Sequence, residues 1–288
     1  MTAMTTAMTD ADLETVRRHG FGVAYRMLGS VSEAEDIAQE AVLRFTRAEE
    51  PIAEPNAWNT TVATRLAISV LRSSRRRRET YIGPWLPEPL VGDASGAVEL
   101  ADSLSQAFLV MLERLTPLER AAFLLREVFD YDYPEVARIL ERNEPAARQL
   151  VTRARKHIGA ARPRFDADEA ERDRLLERFL AAAREGDLAG LESVLAEDAV
   201  LYSDGGGKAT AARRPIAGAA RIARAVAAFT RRERRRGLAG RLARVNGQPG
   251  RVLRTPGGEV WSVLSIDVAD GRIQTVRIMR NPDKLTHL

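Results

Sequence analysis

The stretch that most constrains this chain runs from Leu115 to Ile158. Thr116 is placed to cap a helix, with Pro117 in the first turn and Glu119 three residues after the cap. A short helix opens at Asp132 to Pro134 and buries Val136, Ala137 and Leu140. Glu141 to Asn143 form a tight turn. Asn143 caps the next helix, and Pro145 sits in its first turn, where a missing N–H is harmless. In that helix Leu150, Val151, Ala154 and Ile158 recur at helical spacing and face a core. Arg148, Gln149, Thr152, Arg153, Arg155 and Lys156 are left outside, with no acidic residue after Glu144. A short helix packed across a helix with a bare basic and amide face is a helix-turn-helix. Arg and Gln are the side chains that bond bidentately to guanine and adenine edges. On this stretch alone, a helical hairpin with a solvated basic face explains the pattern equally well.

Composition narrows the alternatives. The 288 residues suffice for two or three domains. No run is long and apolar enough to span a membrane. The start, MTAMTTAMTDAD, lacks the basic and apolar parts of a signal peptide. There is no cysteine, which removes disulfides, thiolate metal sites and Cys catalysis together. His19, His157 and His287 are far apart, so a metal site has little support. Nothing calls for a cofactor, and the expected compartment is the cytoplasm. The net charge is only +4, yet the pI is about 9.7. Only Lys156, Lys208 and Lys284 among the 44 basic residues are lysine. Codon bias explains much of that arginine excess; the placement of the arginines carries the information.

Residues 10–78 read as three helices. The first spans Ala11 to Leu28. Ser32 is placed to cap the second, whose apolar stripe is Ala34, Ile37, Ala38, Ala41 and Phe45. Asp36, Gln39 and Glu40 remain outside, as an acidic docking face or an ordinary solvated one. The third runs from Ala57 to Arg78 on a stripe of Trp58, Val62, Leu66, Val70 and Leu71. Asn59, Thr60, Thr64, Arg65 and Arg72 are left outside that stripe. The helix ends in Arg75-Arg76-Arg77-Arg78, more cation than a helix dipole needs, so phosphate contact is the better account. Residues 79–98 form a linker whose prolines and glycines forbid regular structure. It nevertheless carries Tyr81, Ile82, Trp85, Leu86 and Leu90, too apolar for a free tether, so it is expected to dock. A helix from Glu99 to Glu113 leads into the helix-turn-helix.

With these blocks read, residues 10–160 resemble the extracytoplasmic-function sigma factors of bacterial RNA polymerase. YRMLGSVSEAEDIAQEAVLRFTR and NAWNTTVATRLAISVLRSSRRRRE look like region 2. LTPLERAAFLLREVFDYDYPEVARIL and RQLVTRARKHI look like region 4. The resemblance implies region 2 over residues 1–78 and region 4 over residues 99–162. It implies docking on the polymerase core enzyme through Asp36, Gln39 and Glu40. It implies minus-ten DNA contact through Asn56, Trp58, Asn59, Thr60, Arg72, Arg75 and Arg76. Arg148, Gln149, Thr152, Arg153 and Lys156 would meet the minus-thirty-five element of promoter DNA. Trp58 reads as core before stacking platform. Two departures stand out. Asn59 occupies a position where the family more often has an apolar residue, and Glu141 stands where glycine is usual, which predicts a strained turn.

Residues 166–288 read as a further domain. Helices at Asp168 to Arg184, Leu188 to Leu195 and Gly218 to Arg232 accompany strands at Ala199 to Ser203 and, from Leu238 to Met279, four more. That pattern is α+β. GDLAGLESVLAEDAVLYSDGGGK is similar to the SnoaL-like, ketosteroid-isomerase-like cone. With PWLPEP, DGGGK and the terminal NPDKL, the likeness points to sigma factors carrying a fused SnoaL-like domain. The whole is then multidomain: two all-α sigma domains plus an α+β cone. The resemblance implies control by that cone, with no separate anti-sigma factor required. Trp85, Asp204, Asn281, Pro282, Asp283, Lys284 and Leu285 are the expected regulatory residues. Such cones are hollow, which leaves room for a small-molecule ligand. Asp204, Tyr202, Trp261 and Asp267 are the groups available for catalysis, and they assemble no base with an oxyanion site, so none is expected. Two rivals stay open here: a ligand-responsive helix-turn-helix repressor, and a SnoaL-like cyclase or isomerase with an accessory DNA-binding arm.

Overall fold

The computed structural model describes residues 10–92, 105–159 and 168–288. Along the chain these form α1 (Asp10–Leu28), α2 (Val31–Thr46), α3 (Pro55–Glu79), α4 (Gln106–Leu112), α5 (Pro117–Glu127), α6 (Tyr133–Leu140) and α7 (Glu144–Ile158). Then come α8 (Glu169–Glu185), α9 (Leu188–Val194), β1 (Leu195–Asp204), β2 (Ile216–Ala217) and α10 (Ala219–Arg235). Strands β3 (Ala239–Val245), β4 (Gln248–Arg254), β5 (Val260–Ala269) and β6 (Arg272–Met279) follow, and a 3-10 turn, Pro282–Lys284, ends the chain. Residues 99–104 of the helix expected before region 4 lie outside the described residues. Two compact units interleave: Met1–Arg75 with Leu112–Ala160, and Arg76–Met111 with Ala161–Leu288. No described helix is long and apolar enough to cross a membrane.

Among the described residues the first unit has helices as its only regular elements. Gly29, at φ 64, ends α1. Ser30, rather than Ser32, caps α2, its hydroxyl accepting from the Glu33 N–H at 3.3 Å. The phase of α2 decides between the two serines: Val31 is buried and already helical, so the cap must precede it. Phe45 and Trp58 meet edge to face at 5.5 Å and fasten α3 to α2. Thr116 and Glu119 form a capping box at the start of α5, as do Asp132 and Glu135 at α6. Glu141 closes α6 in the left-handed region, φ 53 and ψ 51. A non-glycine residue there costs roughly 1–2 kcal/mol. Asn143 Oδ1 accepts from the Ala146 N–H at 2.9 Å and opens α7.

Two arginines join the helices of this unit. Arg120 of α5, only 3% exposed, donates to the Met27 carbonyl at 2.8 Å and pairs with Glu113 at 2.8 Å. Arg65 of α3 donates to the carbonyls of Ile139 at 2.9 Å and Arg138 at 3.1 Å, and pairs with Glu141 at 3.0 Å. A cation thus covers the negative end of α6.

In the second unit one sheet runs in the order β2-β1-β6-β5-β4-β3. Only β1 and β6 pair in parallel. One face packs Leu201, Leu264, Ile266, Val276 and Ile278 with Phe179, Leu191 and Ile222 of the helices. The opposite face gathers Val245, Val252, Val263 and Met279 with Leu86 and Leu285. A sheet that alternates apolar residues onto both faces needs a cover on each. The helices cover one, and residues 81–92 with the C-terminal turn cover the other.

Candidate nucleic-acid interface and linker dock

Helix α7 sorts its side chains as its spacing dictates. Ala147, Leu150, Val151, Ala154 and Ile158 are buried, and Arg148, Gln149, Thr152, Arg153, Arg155 and Lys156 are exposed. Arg148 lies over the Tyr133 ring at 4.1 Å and pairs with Glu144 at 2.6 Å. The ring and the carboxylate hold the guanidinium plane beside the helix start, and an exposed i,i+4 pair is worth under about 0.5 kcal/mol. Glu119 of α5, 4% exposed, lies 3.5 Å from Arg153 and 3.2 Å from His157. Burial pushes its carboxyl up, but the Thr116 backbone and hydroxyl bonds and His157 outweigh burial and hold it below the usual range. One buried anion therefore ties the basic face to α5.

On α2, Asp36 and Gln39 are exposed, and Glu40 is 44% exposed and pairs with Arg44 at 2.8 Å. Leu43, 47% exposed, stands on the same helix one turn from Gln39 and Glu40. The outer face of α2 thus places an exposed leucine beside acidic and amide side chains.

The minus-ten set does not stay together. Asn56 and Arg72 are exposed. Asn59 and Thr60, expected outside, are 0% and 1% exposed. Asn59 Nδ2 donates to the Val16 carbonyl at 2.5 Å, and Thr60 Oγ1 donates to the Asn56 carbonyl at 2.9 Å and meets His19 Nε2 at 2.8 Å. The reason is the width of the buried face: α3 packs on α1 through polar residues beside the apolar stripe, so a stripe drawn from apolar residues alone comes out too narrow. Trp58 is half-buried against Phe45, as core. Arg75 and Arg76 belong to α3, with side chains outside the described residues.

The regulatory set converges. Asp204, 0% exposed, accepts from Tyr81 Oη at 2.5 Å, the Leu86 N–H at 2.9 Å, the Gly206 N–H at 3.0 Å and Lys284 Nζ at 2.8 Å. Lys284 also donates to the Leu86 carbonyl at 2.6 Å and lies 4.2 Å from the Trp85 ring centre. Asn281 Nδ2 donates to Tyr81 Oη at 2.9 Å, and its Oδ1 accepts from the Asp283 N–H at 3.2 Å. Burial first, and then the bond to Asp204, push the Tyr81 phenol well above its usual range, so it stays a donor. Pro282 starts the 3-10 turn, Leu285 is 5% exposed, and Asp283 reaches Lys208 at 2.5 Å. The glycines of DGGGK have a steric reason. A Cβ on Gly206 would stand 2.3 Å from Asn281 Nδ2, and one on Gly207 would stand 2.9 Å from Ile82 Cδ1, both at positive φ.

Further along the linker, Leu90 exchanges bonds with Asn246, at 3.1 Å to its side chain and 2.8 Å from its N–H. Pro89 O meets His287 Nε2 at 2.9 Å, and Val91 bridges Val245. The sequence named Tyr81 only among the docking residues of the linker, and gave no role to Asn246 in the dock or to Arg65 against α6. Tyr81 had a signal, an aromatic in a proline-rich linker; Asn246 and Arg65 had none.

The family described as Sigma-70 region 2 matches residues 13–77, and Sigma-70, region 4 matches residues 105–158. The ECF RNA polymerase sigma factor SigJ of Mycobacterium tuberculosis H37Rv is 39% identical over 293 residues, covering 97% of this chain and 94% of that protein. The probable ECF RNA polymerase sigma factor SigI of the same species is 35% identical over 183 residues, covering 60% of this chain and 62% of its own. The crystal structure of M. tuberculosis SigJ superposes with a TM-score of 0.79 at 36% identity, covering 96% of this chain and 98% of that one.

Proposed function

This chain belongs to the extracytoplasmic-function sigma factors of bacterial RNA polymerase, and from that premise we propose how its parts divide the work. It is a promoter-recognition subunit, acting with core polymerase and promoter DNA. What carries this reading is the presence of both sigma regions in one chain with the α7 face open. A repressor has no need of the region 2 block, and a cyclase has no need of either. Helix α7 reads the minus-thirty-five element, with Arg148 and Gln149 on base edges and Arg153 and Lys156 on phosphates. The Asp36, Gln39 and Glu40 face docks on the core. Asn56 and Arg72 remain for the unpaired minus-ten strand, while Asn59 and Thr60 shape α3 from within. The protein works where the polymerase works, in the cytoplasm.

The test is transcription in vitro with core polymerase. Promoter-specific initiation is expected to require this chain. Arg148→Ala or Gln149→Ala should lose about 1–3 kcal/mol on the cognate element and relax preference there. Arg153→Ala or Lys156→Ala should weaken all duplexes alike and flatten the salt dependence. Initiation without the chain, or equal losses on cognate and scrambled duplexes for both classes, overturns the assignment.

The Arg65 bonds support a closed form that must open. Asn56 lies nine residues before Arg65 on one helix, about 14 Å. Arg148 lies nine residues after Ile139, at most about 32 Å. With side-chain reach the two base-facing ends stay within about 60 Å. Promoter elements about 25 base pairs apart are separated by roughly 85 Å. Arg65→Ala is therefore expected to favour the open form and to raise initiation several-fold at limiting protein. Unchanged initiation with an unchanged radius of gyration in solution scattering would show that the contact restrains nothing.

The SnoaL-like domain controls this opening through the linker dock, in place of a separate anti-sigma factor. Its two candidate bases are both engaged: Asp204 by Lys284 at 2.8 Å, and Asp267 by Arg277 at 2.6 Å. That supports a binding cone rather than a catalytic one. A cavity of about 310 Å³, lined by leucines such as Leu180 and Leu253 and by charged residues such as Glu177, Arg184 and Arg251, gives a small molecule room.

A further inference from the structure

A second lobe of the C-terminal unit faces away from the linker. Successive strand residues point to opposite faces, so Ser203 leaves β1 on the side opposite Asp204. Its hydroxyl is buried, the residue being 1% exposed, and has no hydrogen-bond partner. A buried, unpaired hydroxyl costs free energy and calls for an explanation. Arg232, Glu233 and Arg236 of α10, Trp261 of β5 and Arg280 after β6 line the same pocket.

The charges there are unbalanced. Arg236 and Arg280 both lie on the Trp261 ring, at 4.7 and 4.5 Å. Glu233, the one carboxylate among the lining residues, is already taken by Arg251 at 2.8 Å. Arg280 donates through Nη1 to the Thr210 carbonyl at 2.9 Å, but its Nε has no partner. Burial, and after it the neighbouring Arg232 and Arg236, hold the Arg280 guanidinium below its usual range, with Glu233 opposing them. The free space in this pocket is about 10 Å³, room for one atom the size of a water. Arg232 and Arg236 are exposed at the mouth. A group that places one oxygen in that space and keeps the others among guanidiniums is an oxyanion, whose geometry the arginine fork matches.

We propose that this lobe binds a small oxyanion, a carboxylate or a phosphate, with one oxygen on the Ser203 hydroxyl and the others on Arg236 and Arg280. The site lies on the opposite sheet face from the linker dock and stands independently of the promoter reading. It is tested by isothermal titration of the full chain, in chloride-free buffer, with sodium phosphate and separately with sodium benzoate. Saturable binding of one probe is expected, and which one binds identifies the head group. Arg280→Met should weaken it about tenfold or more. Ser203→Ala should weaken it several-fold while leaving the unliganded melting temperature equal or higher, because the orphaned hydroxyl is gone. Arg231→Gln, on the same helix but off the pocket, should bind as the native chain does. No saturable heat with either anion at millimolar concentration would leave the pocket a water site and overturn the proposal. Equal losses in Arg231→Gln and Arg280→Met would do the same, by showing diffuse charge attraction.

Discussion

Replacing Asp36, Gln39 and Glu40 together by alanine is expected to abolish binding to core RNA polymerase while leaving the helical content of the chain unchanged. All three side chains point outward from α2, and none contributes to its buried stripe of Val31, Ala34, Ile37, Ala38 and Ala41. Alanine is the best helix former, so the backbone loses nothing. The one ion pair removed, Glu40 with Arg44, is exposed and is worth about 0.3–0.5 kcal/mol. Binding is another matter. Charged and amide groups at the centre of an interface cost about 1–2 kcal/mol each when truncated. Three of them together amount to a loss of affinity of a hundredfold or more. Leu43 is exposed on α2 one turn from Gln39 and Glu40, so Leu43→Asp should add to the loss. Affinity for core would be measured by fluorescence anisotropy of labelled chain, with circular dichroism on the same samples. Unchanged affinity with an unchanged spectrum would show that this face is merely solvated.

The contrast between α2 and α3 explains what the sequence made legible. In α2 and α7 the buried faces are apolar, so hydrophobic spacing places the polar side chains outside correctly, while the exposed Leu43 went unassigned. In α3 the buried face includes Asn59, Thr60 and Thr64, at 0%, 1% and 1% exposure. Asn59 and Thr60 bond to Val16 and His19, more than 40 residues away in sequence, and no local pattern announces such a bond. The caps at Thr116, Asp132 and Asn143 were readable because their chemistry closes within three residues. The strained Glu141 was readable from a missing glycine, but its partner Arg65 was not, because that bond spans 76 positions of sequence. Most members of the linker dock were visible as motifs. Its geometry was not, since Asp204 sits 123 residues from Tyr81 and 80 from Lys284. The two-residue strand β2 left no signal at all, being too short to show a period.

The second large effect is expected at Lys284. Methionine has a similar length and keeps the packing of the stem, so Lys284→Met removes little but the charge. Asp204 then stays buried at 0% exposure with its three remaining donors, Tyr81, Leu86 and Gly206, and no cation. Breaking a buried pair from one side costs about 3–5 kcal/mol, because the surviving charge has lost its compensation. For a unit of this size each kcal/mol lowers the melting temperature by roughly 2–4 °C, which gives a fall of about 6–20 °C. The Leu86 carbonyl and the Trp85 ring lose the same ammonium, so the linker is the part that lets go first. Burial of Leu86, worth about 1.5–3 kcal/mol, does not by itself hold an otherwise irregular segment against its regained chain entropy. Asp204→Asn combined with Lys284→Met removes both charges and should recover a large part of the stability, which a double-mutant cycle would read as coupling. A two-state dock makes a further demand: releasing the linker must alter activity through the change in population alone. Per folded molecule, Lys284→Met and a chain ending before Asn281 should both initiate several-fold faster. The preference of region 4 among duplexes should be unchanged. Thermal melting, transcription and crosslinking from Trp85 to the cone belong on the same protein samples. A lower melting temperature with normal transcription per folded molecule, and a crosslink yield equal to the native chain's, would reduce the pair to a structural fastening of the cone.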